Sequence, residues 1–157
     1  MILRAKVVTV SDGVFHGVRE DRSGAALVDM LTRNGWEVVD HTVVADGTDS
    51  VSQVLRALSV GFAGLIVTTG GTGFGPRDLT PEGTSAVLER FAPGIAESTR
   101  LVNPPLGRLS RGVAGTLGTS LIINTPGSPK GCVECLGAVL DMVPHALSLM
   151  TGETTIH

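Results

Sequence analysis

Short apolar runs alternate with amphipathic stretches along most of the chain. Residues 7–10, 65–69 and 121–123 are runs of apolar and β-branched side chains, which is typical of strands that are covered on both faces of a sheet. Between two of these runs, apolar residues recur at helical spacing within residues 51–58. Because strand-like and helix-like segments alternate, we expect an α/β fold, a three-layer α/β/α sandwich with a mainly parallel sheet.

Capping residues predict where two of the helices begin. Ser23 is placed to cap a helix over residues 24–34. Thr80 is placed to cap another helix, with Pro81 at its first position and Glu82 near the positive end of its dipole.

The second half of the chain is less regular. Residues 92–118 contain several prolines and glycines and predict short helices and loops. Apolar residues at helical spacing within residues 136–143 predict a last helix, which Pro144 is expected to kink or reset. The 157 residues show no internal repeat or linker and match the usual length of one domain, so we expect a single domain over residues 1–157.

Polar or glycine-rich loops follow four of the predicted strands. They are Ser11 with Asp12, Asp46 with Gly47, residues 70–78 and residues 124–130. In a mainly parallel sheet, ligands bind beyond the carboxyl ends of the strands, where such loops converge. The four loops therefore predict one ligand site.

The third of these loops carries the strongest signal, TTGGTGFGPRDLTPE at residues 68–82. Four glycines within six residues expose backbone N–H groups that can hold an anion, and Arg77 can add a forked contact to a phosphate. The segment matches neither the dinucleotide fingerprint nor a Walker A loop. We expect phosphate binding here; the alternative is a glycine-rich turn that serves packing alone.

Two aspartates follow predicted strands and can face the same crevice. Mg²⁺ is usually held by one or two carboxylates together with phosphate oxygens, so Asp46 and Asp78 are candidate ligands for it. The alternative is structural, because Asp-Gly is a common turn dipeptide and Asp78 can support the Thr80 cap.

The fourth loop ends in a cation. Lys130 is one of two lysines in the chain and follows a loop stiffened by two prolines, which suits an anionic ligand. A solvated lysine is the alternative. Ser110 precedes a glycine-rich stretch and is a weaker candidate for a polar contact.

Composition narrows the function classes. Aromatic residues are 3% of the chain and the net charge is −3, with no basic run, so a nucleic-acid footprint is not expected. Apolar stretches are too short for a membrane span. Two cysteines exclude a disulfide framework and favour a cytoplasmic location. Cys132 and Cys135 lack partners at zinc-site spacing and are interpreted as thiols on one helix face.

Three segments together resemble the MoaB/MogA family of molybdenum cofactor biosynthesis. They are TTGGTGFGPRDLTPE, the SD after the first strand and INTPGSPK after a later one, and the resemblance spans about residues 4–150. It implies the three-layer molybdopterin-binding fold, a trimer, and a nucleotidyltransferase that uses Mg-ATP to place AMP on the terminal phosphate of molybdopterin with release of pyrophosphate. A separate molybdate-inserting enzyme then takes the product.

The resemblance also implies roles for individual residues. The family's two essential aspartates correspond to Asp46 and Asp78, which we interpret as organisers of Mg²⁺ and water. The predicted substrate-binding residues are Ser11, Asp12, Gly70, Gly71, Thr72, Gly73, Arg77, Thr80, Pro81, Glu82, Ser110, Asn124, Pro126, Gly127, Ser128 and Lys130.

Two other functions compete with adenylyl transfer. One is a carrier that binds molybdopterin without catalysis, and the other is a nucleotide pyrophosphatase-like enzyme, since related domains occur in competence-damage-type proteins. The presence of both Asp46 and Asp78 favours the transferase.

Overall fold

The computed structural model describes residues 1–153, and its secondary structure follows the predicted alternation. The strands are β1 Arg4–Val10, β2 Glu37–Val44, β3 Gly64–Thr69, β4 Arg90–Phe91, β5 Ala114–Leu117 and β6 Ser120–Thr125. The helices are α1 Asp12–Phe15, α2 Arg22–Arg33, α3 Thr48–Ser59, α4 Thr80–Ser85, α5 Pro93–Leu101, α6 Pro129–Gly137 and α7 Val143–Met150, with a 3-10 helix at Leu106–Leu109. Within the described residues, no helix has the length and apolar character needed to cross a membrane.

All six strands form one sheet, in the order β2-β1-β3-β6-β5-β4. The pairings β1 with β2, β1 with β3 and β3 with β6 are parallel, while β5 and β4 add an antiparallel edge. This confirms the mainly parallel sheet. Since the four parallel strands point the same way, the loops after them emerge at one edge.

Alternate residues of the central strands supply two separate cores. Val7 on β1 and Leu65 on β3 pack on one face with α2, α5, α6 and α7. Val8 and Ile66, their neighbours in sequence, pack on the other face with α3. This period of two explains why both faces need apolar residues and why these strands read as continuous apolar runs. The sheet therefore lies between two layers of helices.

The two predicted helix caps are wrong, although both helices exist. Helix α2 is capped by Asp21, whose Oδ1 accepts a hydrogen bond of 2.9 Å from the Gly24 amide. Helix α4 has no side-chain cap, and the Thr80 hydroxyl instead donates to the Gly70 carbonyl at 2.9 Å. The α2 cap therefore lies two residues before the predicted one, and Thr80 ties α4 to the glycine loop instead of capping the helix.

The less regular half also differs from its prediction. Residues 92–118 hold the expected short helices, but they also hold β5, which turns at Gly118 (φ +57°) into β6 as a hairpin. A single helix across residues 136–143 is wrong, because α6 ends at Gly137 and α7 begins at Val143. Pro144 lies in the first turn of α7, so it resets the helix.

Candidate active site

A cavity of about 440 Å³ opens where the parallel strands end, and we call it the first cavity. Each of the four predicted loops contributes to its wall. The contributing residues include Ser11 after β1, Asp46 after β2, Gly70, Gly71 and Asp78 after β3, and Gly127 after β6. The predicted convergence of these loops is confirmed.

A second cavity of about 390 Å³ adjoins the first. The two have Gly71, Asp78 and Gly127 in common. The rest of the second wall comes from Thr72, Gly73, Asn103, Leu106, Gly107, Leu109, Ser110, Pro126, Ser128, Gly131 and Cys135. The two cavities thus form one groove with a border made of two glycines and a carboxylate.

The glycine loop brings backbone, rather than side chains, to this border. Gly70 and Gly71 have φ values of +101° and +67°, a region that disfavours other residues. A Cβ on Gly70 would collide with the Val10 carbonyl, and one on Gly71 would collide with the Thr80 hydroxyl. Only glycine lets the chain turn here, where the Gly70 amide donates to the Thr125 carbonyl at 3.1 Å and Gly71 brings the backbone close to the border.

Asp46 and Asp78 both face the first cavity. Burial raises the pKa of Asp46, and the nearby negative charges of Asp12 and Asp78 raise it further. The Asp78 Oδ2 accepts a hydrogen bond of 2.8 Å from the Gly75 amide, which fixes that carboxylate on the loop. Because the negative charge of Asp78 adds to the cost of ionising Asp46, a cation beside the Asp46 carboxylate would stabilise its charged form.

Asp46 is held by a reciprocal pair of hydrogen bonds with Asp12. The Asp12 amide donates to Asp46 Oδ2 at 2.8 Å, and the Asp46 amide donates to Asp12 Oδ1 at 3.1 Å. Arg77 then binds Asp12 with a fork, Nε to Oδ2 at 2.6 Å and Nη2 to Oδ1 at 3.1 Å, and donates to the Asp46 carbonyl at 2.8 Å. The Arg77 guanidinium holds the pKa of Asp12 below its usual value.

Arg111 braces the other end of the glycine loop. Its guanidinium donates to the Gly73 carbonyl at 2.7 Å and to the Asp78 carbonyl at 2.6 Å, and it pairs with Glu82. This hydrogen-bonded pair lowers the pKa of Glu82. Arg111 therefore fixes the backbone on both sides of the loop tip, a role that sequence reasoning did not assign to it.

Most of the predicted site residues line a cavity. They are Ser11, Asp46, Gly70, Gly71, Thr72, Gly73, Asp78, Ser110, Pro126, Gly127 and Ser128. The others lie outside both cavity walls: Asp12, Arg77, Thr80, Pro81, Glu82, Asn124 and Lys130.

Asn124 and Lys130 show why predicted residues fall outside the walls. Asn124 is 3% exposed and donates to the hydroxyls of Thr68 and Thr84 at 3.0 Å each, so it joins the sheet to α4 from within. The Lys130 side chain is 86% exposed and lies 3.8 Å from Glu134. Their predicted contacts with substrate stay predictions.

Sequence reasoning missed two groups of lining residues. Residues 19–23, with Arg19 and Arg22 among them, form one side of the first cavity, and a run of charges directly before a helix was the available signal. Residues 103–109, which come directly before the predicted Ser110, supply much of the second wall.

The two cysteines lie on the buried side of α6, as predicted. Burial raises the pKa of the Cys132 thiol to about 11 and raises that of Cys135 as well. Both are therefore thiols rather than thiolates at neutral pH.

Comparison with known proteins places this site in a family. Residues 6–145 match the family described as "Probable molybdopterin binding domain". The chain is 38% identical over 152 residues to a molybdopterin adenylyltransferase of Helicobacter pylori J99, covering 93% of this chain and 86% of that protein. It is 33% identical to the molybdopterin adenylyltransferase of Escherichia coli K12, covering 96% of this chain and 86% of that one.

A solved structure agrees with these matches in sequence. The molybdopterin biosynthesis enzyme MoaB of Thermus thermophilus is 47% identical, with a TM-score of 0.89 over 96% of this chain and 98% of the other. The resemblance inferred from the glycine loop and its companion segments is confirmed, and the chain belongs to the MoaB/MogA family of molybdopterin-binding domains.

Proposed function

We propose that the protein is a nucleotidyltransferase of molybdenum cofactor biosynthesis, which moves the adenylyl group of ATP onto the terminal phosphate of molybdopterin and releases pyrophosphate. Relatives of similar length carry the name molybdopterin adenylyltransferase, which supports this. The observation that carries the proposal in this chain is the pair Asp46 and Asp78 on a groove of two adjoining cavities, with Asp78 at their border.

Two adjoining cavities suit a reaction between two bound anions. An oxygen of the molybdopterin phosphate attacks the α-phosphorus of ATP, a new P–O bond forms, and the bond to the bridging oxygen breaks as pyrophosphate leaves. The acceptor is already ionised, so it needs no strong base. The main requirements are to hold the two phosphates together in line and to stabilise the charge that develops, which amides and cations can do.

Asp46 and Asp78 would hold Mg²⁺ in this proposal. The described residues contain no cluster of three or more His, Cys, Asp or Glu side chains that could form a metal site alone. A pair of carboxylates fits Mg²⁺ delivered with phosphate oxygens, because this ion takes few ligands from protein and the rest from substrate and water. When bound, the ion would neutralise phosphate charge during transfer.

Asp12 and Arg77 act in this proposal as positioning residues. Both carboxylate oxygens of Asp12 are bound by Arg77 and one also by the Asp46 amide, while the Asp12 amide holds the Asp46 carboxylate. Together they orient Asp46 toward the groove. The glycine loop, braced by Arg111, supplies amides at the border.

Several properties of the family are carried over as proposals. We propose a single domain over residues 1–157, a cytoplasmic location, a homotrimer, and transfer of the product to a molybdate-inserting enzyme. Family resemblance supports each of these.

The test is pyrophosphate release from ATP and Mg²⁺ by the purified protein, measured with and without molybdopterin. The proposal requires release that depends on molybdopterin, with adenylylated molybdopterin as product. Tight molybdopterin binding without release would support the carrier function instead. ATP breakdown that is independent of molybdopterin would support the pyrophosphatase-like function.

A further inference from the structure

A polar network lies directly behind one wall of the first cavity. The Thr9 hydroxyl of β1 donates to Asp21 Oδ2 at 2.8 Å, and His41 Nε2 of β2 lies 2.9 Å from the same oxygen. The other oxygen, Oδ1, caps α2 through the Gly24 amide. Asp21 is thus tied to two strands on one side and to a helix on the other.

The network is closely packed. Thr9 is 2% exposed, and the side chains of Asp21 and His41 are 16% and 31% exposed. A Cβ on Gly24 would collide with all three side chains, since it would lie 2.5 Å from both Asp21 Oδ2 and His41 Nε2. The network therefore requires glycine at position 24, and it leaves Thr9 and Asp21 less freedom than His41, whose outer side is exposed.

Asp21 belongs to residues 19–23, the side of the first cavity that the sequence analysis did not predict. Arg19, Arg22 and Ser23 flank Asp21 and line the first cavity with it. The wall also carries the Glu20 carboxylate, which pairs with Arg22, so the Arg19 guanidinium and the Ser23 hydroxyl are the groups that suit an anionic ligand. The Arg22 and Glu20 side chains pair 3.5 Å apart and are largely exposed, so Asp21, rather than this surface pair, holds the wall in place.

His41 differs from the other two members of the network in its location. Thr9 and Asp21 line the first cavity, whereas His41 lies outside it on the edge strand β2, in a separate surface depression. It reaches the cavity wall through Asp21 and through the Thr9 hydroxyl, which lies 3.2 Å from His41 Nε2. Of these two residues, Asp21 is the one that belongs to the wall of residues 19–23.

We propose that His41 is a positioning residue, which holds the wall of residues 19–23 through Asp21 and thereby sets the affinity for the anionic substrate in the first cavity. The inference rests on the proposed function. It concerns a residue that touches neither substrate cavity directly.

The test compares two variants in the intact protein. His41→Gln keeps an N–H group that can donate to Asp21 Oδ2, whereas His41→Val keeps strand propensity and removes the donor. We expect His41→Val to raise the KM of one substrate, ATP or molybdopterin, by about fivefold to tenfold and to leave kcat and the other KM within about twofold. His41→Gln should stay within about twofold of the wild type in all three.

Hydrogen–deuterium exchange gives a second measurement, which does not require activity. Exchange in the segment 19–24 should become faster in His41→Val and remain unchanged in His41→Gln, because the Gly24 amide depends on an anchored Asp21. If His41→Val does not fold, His41→Phe replaces it, because phenylalanine also favours strands and has no donor.

The outcomes separate this inference from the proposed function. A wild-type protein without molybdopterin-dependent transfer overturns the proposed function, and the exchange measurement still tests the anchoring. An active wild type with unchanged KM values and exchange in His41→Val overturns the role of His41. Equal impairment of the Val and Gln variants also overturns it, because the donor would then be irrelevant.

Discussion

The two cavities of the groove share a border and differ sharply in the number of charged residues that line them. The first cavity is lined by Arg19, Glu20, Asp21, Arg22, Asp46 and Asp78. In the second, Asp78 is the only charged lining residue among those the structure describes, and Leu106 and Leu109 form part of the wall. Under the proposed function, we expect the first cavity and the border to hold phosphates together with Mg²⁺, which would offset the carboxylates, and the second cavity to hold a less polar group by contact and a few hydrogen bonds.

The difference in charge has a structural origin. The first cavity is built on the ends of four parallel strands, where helix starts and short loops converge by topology. The second is closed by residues 103–110, a segment that runs through the 3-10 helix between α5 and β5. The sheet thus fixes the position of the candidate catalytic residues Asp46 and Asp78, and a connecting segment shapes the second cavity.

Replacing the carboxylate at the border should have the largest effect. We expect Asp78→Asn to lower kcat by about 10²-fold to 10³-fold and to leave binding of each substrate measurable, because an amide oxygen can still accept from the Gly75 amide. Pyrophosphate release and calorimetric titration would measure the two effects.

The control for this change is Asp141→Asn. Asp141 is exposed and lines a depression outside the groove, so full activity is expected. Unchanged turnover in Asp78→Asn would remove Asp78 from the mechanism, and lost binding in both cavities would mean that the carboxylate holds the loop rather than serving the reaction.

Removing the contacts that Arg77 makes with Asp12 and Asp46 should have a smaller effect. Arg77→Ala removes the fork to Asp12 and the contact with the Asp46 carbonyl, so Asp46 loses its fixed orientation. We expect kcat to fall by about tenfold, or about 1.4 kcal/mol in the barrier, with KM changed by less than about threefold. Steady-state kinetics with both substrates would measure the split.

Arg33→Ala is the matched control. Arg33 also pairs with an aspartate, Asp29, but this pair lies on the exposed surface of α2 and outside both cavity walls. A loss that appears mainly in KM would contradict the positioning role. It would support the direct phosphate contact that the sequence predicts for Arg77.

The contrast between the cavities also separates what sequence can predict from what it cannot. The central strands, the two cores and the convergence of the four loops follow from apolar periodicity and from the geometry of parallel sheets. Glycine spacing likewise predicts the loop at Gly70 and Gly71, because positive φ and close approach are local requirements. Most of the first cavity is of this kind.

The remaining features depend on contacts between residues distant in sequence. Arg77 meets Asp12 across 65 positions, and Asn124 meets Thr68 across 56. The cap of α2 falls on Asp21 rather than Ser23 because Thr9 and His41 bind the Asp21 carboxylate. Local propensity carries no information about such partners, so sequence reasoning could not predict the contacts that these charged and polar residues make with one another.

A change in the apolar wall of the second cavity tests whether the two cavities bind different substrates. Leu109→Ser should raise the KM of one substrate by about threefold to tenfold through lost apolar contact, since Leu109 is partly exposed and contributes less than a fully buried leucine. The other KM and kcat should stay within about twofold. Kinetics with each substrate varied in turn would measure this.

Leu101→Ser is the control, because Leu101 is 77% exposed and lies outside both cavities. If Leu109→Ser and His41→Val raise the KM of the same substrate, the two cavities do not divide the substrates as the difference in charge indicates.

The smallest predicted effect is on the stability of the folded protein, through the charge of Asp46 in the first cavity. Burial and the charges of Asp12 and Asp78 raise the pKa of Asp46 above its ordinary value of 3.8. The native state therefore binds a proton on Asp46 more readily than the unfolded state, and stability falls as pH rises through that interval. Asp46→Asn should consequently raise the Tm near pH 7 by at most a few degrees.

The pH dependence of this gain distinguishes charge from other causes. The gain should shrink as pH falls through the raised pKa toward 3.8, because wild-type Asp46 then becomes neutral in the native state. Asp46→Ala is the control, since it removes the charge together with the acceptor of the Asp12 amide and should be less stable than Asp46→Asn at every pH. Thermal unfolding of the three proteins between pH 4 and pH 7.5 would measure both differences. A gain that does not vary with pH would show that neither burial nor the neighbouring charges make the charged form of Asp46 costly in the native state, which would contradict this prediction.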